Sequence, residues 1–109
     1  MNYKVTVHEN FKKELKPLAK KFPSLKSDIQ YLLDNIEKEL ALSTDLGDGF
    51  RKINLKIKSK GKGSSGGGRI ITYETIIEVN QKEILLSSIY NKTDFDAIDL
   101  SILKKNLRL

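Results

Sequence analysis

The chain has no cysteine and a single histidine, His8. The first absence excludes disulfides, thiol catalysis and thiolate metal sites. The second excludes any mechanism that needs two imidazoles, whether as metal ligands or as a paired acid and base. Nowhere do about 20 apolar residues run together, the length a membrane-spanning helix needs. The opening Met-Asn-Tyr-Lys-Val carries no apolar signal-peptide stretch. The expectation is a cytoplasmic protein without membrane, metal or cofactor, whose chemistry must come from lysine, arginine, tyrosine or carboxylates. With 109 residues, one domain over residues 1–109 and one core are expected.

What the chain does have is positive charge, unevenly placed. Between Phe50 and Tyr73, seven basic residues (Arg51, Lys52, Lys56, Lys58, Lys60, Lys62 and Arg69) meet no carboxylate. The rest of the chain holds thirteen basic and fourteen acidic residues, so the segment contributes +7 and everything else −1 to the net +6. Five of the seven glycines lie in the same segment. Charge this local points to a polyanionic partner.

Apolar periodicity supplies the scaffold. Tyr3 to Val7 is rich in β-formers and reads as a first, edge strand. Phe11, Leu15, Leu18, Ala19 and Phe22 recur at helical spacing, with Pro17 expected to kink or shorten that helix. Ser24 reads as the N-cap of a second helix whose apolar face runs from Leu25 through Ile29, Leu32, Leu33 and Ile36 to Leu40. Ser43 to Gly49 reads as a loop. Arg51 to Lys58 alternates with a period of two, giving a strand with Ile53, Leu55 and Ile57 on one face and Lys52, Asn54, Lys56 and Lys58 on the other. Arg69 to Val79 and Glu83 to Tyr90 form two more strands, with a hairpin at Asn80-Gln81. Thr93 and Asp96 read as a capping box that opens a final helix bearing Phe95, Ile98, Ile102 and Leu107. The expected fold is α+β: an N-terminal helical hairpin packed on a small antiparallel sheet, with a C-terminal helix.

The lysine row exceeds the one or two lysines that keep a sheet edge from aggregating, so it favours phosphate binding over a merely solvated face. The glycine loop, Lys60 to Gly68, contains Gly61, Gly63 and Gly66 at G-x-G-x-x-G spacing. It leads into a strand rather than a helix, which excludes the dinucleotide fingerprint, and it lacks the ending of a P-loop. Its composition also suits a plain flexible linker. Flanked by Lys60, Lys62 and Arg69, its glycines would let a nucleic-acid backbone come close. His8, at a strand end before a helix start, suits a cap as well as any catalytic role. Glu74 and Glu78 share a strand face and suit pairing with lysines.

The run SKGKG-SSGGG-RIITY, the IYNKTD that ends the last strand, and FKKELKPLAKKFPSLKSDI near the start together resemble the RelE-type toxins of bacterial toxin-antitoxin modules, in the RelE/ParE superfamily. The resemblance spans nearly the whole chain. It implies a metal-independent, ribosome-dependent endoribonuclease that cuts mRNA in the ribosomal A site. Its implied partners are the ribosome and mRNA, a neutralising cognate antitoxin and, through that antitoxin, operator DNA. Arg69 matches the family arginine at the start of the strand after the loop, and Lys92 falls near a functional basic or histidine position. Relatives often carry a tyrosine or histidine near the C-terminus; none follows Tyr90 here, which leaves the acid and base unassigned.

Metal-free RNA cleavage by the neighbouring 2′-hydroxyl needs a proton removed, charge at phosphorus stabilised and the leaving oxygen protonated. Arg69 suits the second task, since its planar fork can hold two phosphoryl oxygens. Crowded lysines lower one another's pKa, so Lys56 or Lys58 could act as base. The expected catalytic set is therefore Arg69, Lys56, Lys58 and Lys92. The expected RNA-binding set is Lys52, Lys60, Lys62, Gly66, Gly67, Gly68 and Tyr73, with Tyr73 placed to stack on a base. The competing expectation is a protein that binds nucleic acid without cutting it, or a ParE-like inhibitor of DNA gyrase.

Overall fold

In a computed structural model that describes residues 2–60, 67–93 and 99–109, the alternation of apolar residues along the strands decides how the layers stack. The strands are β1 (Asn2–Val7), β2 (Thr44–Gly47), β3 (Phe50–Leu55), β4 (Gly68–Glu78) and β5 (Gln81–Asn91), in the spatial order β1-β5-β4-β3-β2. The helices are α1 (Glu9–Lys21), α2 (Leu25–Asp34), α3 (Ile36–Leu42) and α4 (Leu100–Asn106). Ile53, Leu55, Ile70, Ile84, Leu86 and Ile89 face α1 to α3 and pack against Phe11, Leu25, Ile29, Leu32 and Leu40. Phe50, Ile71 and Tyr90 belong to a second cluster with Leu103 of α4. The fold is α+β, with helices on both faces of the sheet. No helix among the described residues is long and apolar enough to cross a membrane.

The sheet is mixed, not antiparallel as expected. Strands β2 to β5 are antiparallel neighbours, but β1 runs parallel to β5, with Asn2 opposite Gln81 and Val7 opposite Leu86. Two-residue turns enforce antiparallel pairing of β2 with β3 and of β4 with β5. The β1–β5 pair has no such turn, because the intervening chain first crosses the face as three helices.

Strand β1 stops opposite Leu86, and β5 continues to Asn91. The edge of β5 past that point is taken over by α1. The Asn10 amide donates to the Ser87 carbonyl (3.2 Å), while Glu14 Oε1 accepts from Ser88 Oγ (2.7 Å), the Ile89 backbone N–H (3.4 Å) and Asn10 (2.9 Å). At the same place β5 carries a bulge, since Ile71 pairs with Ser88 but Thr72 with Leu86. The N-cap of α1 is His8, whose Nδ1 accepts from the Asn10 N–H at 3.1 Å, and the helix runs through Pro17 to Lys21 without being shortened.

The second expected helix is two. At Asn35 the backbone leaves helical geometry (φ −118°, ψ 30°), and its side chain donates to the Tyr31 carbonyl at 2.8 Å. A local amide competing for a helical carbonyl is a known way to end a helix. Ser24 provides no side-chain cap; its hydroxyl donates to Asp28 (2.6 Å) and accepts from the Ser59 N–H (2.8 Å). The Ser43 to Gly49 loop contains β2, and its reversal is confined to Gly47, Asp48 and Gly49, with φ of 88°, 55° and 88°. The β4–β5 turn is Val79-Asn80, one residue earlier than expected, because Glu78 pairs with Gln81. Helix α4 is capped by Asp99, which accepts from the Ser101 N–H at 2.9 Å, and it buries Leu103 while Ile102 is 58% exposed. The proposed capping partner Asp96, with Phe95 and Ile98, lies outside the described residues.

Removing the Glu14 carboxylate leaves Ser88 Oγ and the Ile89 N–H without that acceptor. Glu14→Ala should destabilise the protein by about 1–3 kcal/mol, read as a lowered urea midpoint at constant slope. An unchanged midpoint would mean the α1–β5 seam does not depend on this carboxylate.

Candidate nucleic-acid interface

The basic segment folds around one end of the sheet. Leu55 pairs with Gly68 and Gly68 with Asn91, so the residues just beyond these three positions, among them Lys56, Gly67 and Lys92, share that end. Close approach requires the glycines. A Cβ on Gly67 would fall 2.1 Å from the Leu55 carbonyl oxygen, and one on Gly68 would meet Ile57 and the Tyr90 carbonyl at 3.3 Å. The Gly67 carbonyl in turn accepts from the Lys92 N–H at 3.0 Å. The requirement at Gly67 and Gly68 is thus packing between strands of this chain.

The lysines do not form one row on a strand. Strand β3 ends at Leu55 and a 3-10 turn follows at Lys58–Lys60. The cause is Asp28 of α2, 4% exposed, whose carboxylate accepts from the Lys58 backbone N–H at 3.1 Å and holds the chain off the strand path. Lys52 shares the face of Phe50 and pairs across with Ile71, whereas Lys56 and Lys58 are exposed and line a groove against α2 and α3. Lys60 Nζ donates to Asn91 Oδ1 at 2.6 Å and lies 5.8 Å from the Phe22 ring centroid, a cation–π range. Lys62 and Gly66 lie outside the described residues.

Arg69 sits two positions before Ile71, on the α4 face of β4, where it pairs across with Asn54 on one side and Tyr90 on the other. It is 7% exposed, and one guanidinium nitrogen donates to the Gly68 carbonyl at 2.9 Å. Tyr90 is 4% exposed. Burial pushes its hydroxyl pKa up, and the Arg69 charge partly offsets that rise. Tyr90 therefore stays a neutral phenol at physiological pH, opposite Arg69 in the β4–β5 pairing. Tyr73 is half-buried, its ring 5.0 Å from that of Phe50. Glu74 pairs with Lys82 at 2.5 Å, away from this end.

Lys52, Arg69 and Tyr73 thus share one face, Lys56 and Lys58 a groove at the outer edge of β3, and Lys60 and Lys92 the sheet end between. Among the described residues, no group of three or more histidine, aspartate or glutamate side chains is placed to hold a metal ion. The chain matches no protein-family model, no curated protein and no solved structure. Sequence reasoning missed Asp28 and Asn91, which anchor Lys58 and Lys60, and gave Tyr90 no role beyond ending a strand. The strand pairing of Tyr90 with Arg69 is the signal that joins them, and it needs the register.

The raised Tyr90 pKa gives a signed prediction. Its contribution to stability is whole below the unfolded tyrosine value near 10 and is lost as pH rises through the higher native value. From about pH 9 to 11 the urea midpoint of the parent protein should fall relative to that of Tyr90→Phe; parallel profiles would remove the claim of a buried, shifted phenol. Gly67→Ala should cost about 1–3 kcal/mol or more from overpacking against backbone that cannot move aside, measured in the same way.

Proposed function

We propose that this protein is the toxin of a type II toxin-antitoxin module, a RelE-type endoribonuclease acting in the cytoplasm on mRNA in the ribosomal A site. The observation that carries the reading is the gathering of Lys56, Lys58, Lys60, Arg69 and Lys92 at one end of the sheet, beside the phenol of Tyr90. A polyanion brought there meets several cations, and RNA cleavage by the 2′-hydroxyl needs positive charge around the phosphorus. In this reading Arg69 neutralises the charge that develops on the phosphoryl oxygens. Lys56 or Lys58 takes the 2′-hydroxyl proton as the P–O bond to the 5′-oxygen breaks, that leaving oxygen takes a proton from water, and Lys52, Lys60 and Lys92 hold flanking phosphates. A cognate antitoxin masks this charge when the toxin is silent.

One observation favours a second reading, a protein that grips nucleic acid without cutting it. Arg69 lies on the α4 face, whereas Lys56 and Lys58 line the groove against α2 and α3, so the proposed charge stabiliser and the proposed bases are not on one face. The gyrase-inhibiting alternative belongs to the same non-cleaving class.

The test is a translating extract in which message ends are mapped by primer extension. The parent protein should produce new 3′-truncated messages only when ribosomes are present. Arg69→Ala should reduce cleavage by about 10²–10³-fold, and Arg69→Lys, which keeps a buried cation, serves as the variant that controls for folding. Intact messages together with inhibited gyrase supercoiling would overturn the nuclease.

A further inference from the structure

Strand β2 pairs with β3 only as far as Thr44 opposite Lys52, so past Lys52 the outer edge of β3 has no strand beside it among the described residues. The Glu74 N–H donates to the Gly49 carbonyl at 2.9 Å, and in an antiparallel ladder such bonded pairs recur at every second residue. By that register Ile53 and Leu55 turn their backbone groups to β4, and Asn54 alone turns its N–H and C=O outward. One donor beside one acceptor is too little to begin a further ladder. It is enough to meet the edge of a planar heterocycle.

The outward edge borders a groove of about 530 Å³ between β3 and the α2–α3 wall, a volume that suits a small molecule. Tyr31 of α2 lines it and is 62% exposed. Lys56 and Lys58 stand at the groove where β3 ends, and neither forms an ion pair among the described residues. A lone exposed tyrosine is ordinary on a protein surface. An aromatic ring, an open backbone edge and two cations in one groove form a set, and each matches a different part of a nucleotide.

Two carboxylates also line the groove. That of Asp28 is already taken up by Ser24 and the Lys58 N–H. Glu39, half-buried on the α3 wall, is an acceptor that suits ribose hydroxyls and turns away a phosphate. A single nucleotide, charged at one end, therefore fits better than a strand lying along the groove with its phosphates passing Glu39.

We propose that this groove binds one nucleotide, its base stacked on Tyr31 and hydrogen-bonded to the Asn54 backbone, its ribose toward Glu39 and its phosphate on Lys56 and Lys58. The groove lies on the helical side of the sheet, whereas Arg69 lies on the α4 face, so this nucleotide is not the one whose phosphorus Arg69 serves in the cleavage reading. The site shares two lysines with that reading and does not depend on it.

The experiment titrates the full ¹⁵N-labelled chain with adenosine 5′-monophosphate and, separately, with hexaadenylate RNA. Binding should shift the backbone amides of Tyr31, Asn54, Lys56 and Lys58. Tyr31→Ala, a change at an exposed site, should weaken it about tenfold or more, and Tyr31→Phe should keep it. Lys56→Ala with Lys58→Ala should weaken it by a similar factor and flatten its salt dependence. Saturation by the monophosphate makes the ligand a free nucleotide; saturation by the hexamer alone, still lost in Tyr31→Ala, makes it one residue of an RNA. Four results would overturn the proposal: no shifts with either ligand at millimolar concentration, shifts confined to other elements, undiminished binding by Tyr31→Ala, or inorganic phosphate binding as tightly as the monophosphate. No ribosomes are present and cleavage is not read, so a failure of the nuclease leaves this result standing, and the reverse also holds.

Discussion

Strand β5 is bonded along both edges only because two different partners divide one of them. Strand β4 takes one side for the full length. On the other, β1 serves residues 81 to 86, and the side chains of α1 serve Ser87 to Ile89. A carboxylate accepting a backbone N–H and a hydroxyl does here what a longer first strand would do. It also fixes where α1 lies, and with it the face against which α2 and α3 must close. The bulge at Ser87 belongs to the same arrangement, because the strand changes partner there and gains twist.

A buried carboxylate performs the matching task at the far side of the sheet. Asp28 binds the Lys58 N–H and, through Ser24, the N–H of Ser59, so the basic segment turns away from the sheet after Leu55. Its lysines are thereby distributed around one end instead of repelling one another along a single face. The stretch of highest positive charge is organised by an acidic residue thirty positions earlier in the chain.

The kinds of some elements were legible from their apolar patterns: Phe11 to Phe22 for α1, and Ile53 with Leu55 against Lys52 and Asn54 for β3. Arg69 was legible from local sequence as the residue at the start of a strand. What escaped reading were the effects of single polar side chains on distant backbone. Nothing around Asn35 announces that its amide will bond the Tyr31 carbonyl and divide a helix. Nothing in the alternation from Arg51 to Lys58 reveals that Asp28 will end the strand at Leu55. The parallel placement of β1 was hidden for the same reason, because partner choice between remote strands is settled by the whole sheet. The Tyr90–Arg69 pairing followed only once the β4–β5 register was known.

The parallel pairing of β1 with β5 also fixes an order of events during synthesis. Asn2 must wait for Gln81, and Val7 for Leu86, so the first strand made is among the last to find its neighbour. Until then α1 to α3 carry an apolar face without the sheet that covers it. Contacts this remote slow folding and lengthen the time that apolar surface stays open to solvent. The N-terminal half thus cannot mature alone, and both the arginine at the start of β4 and the phenol of β5 take their positions only when the chain is nearly complete.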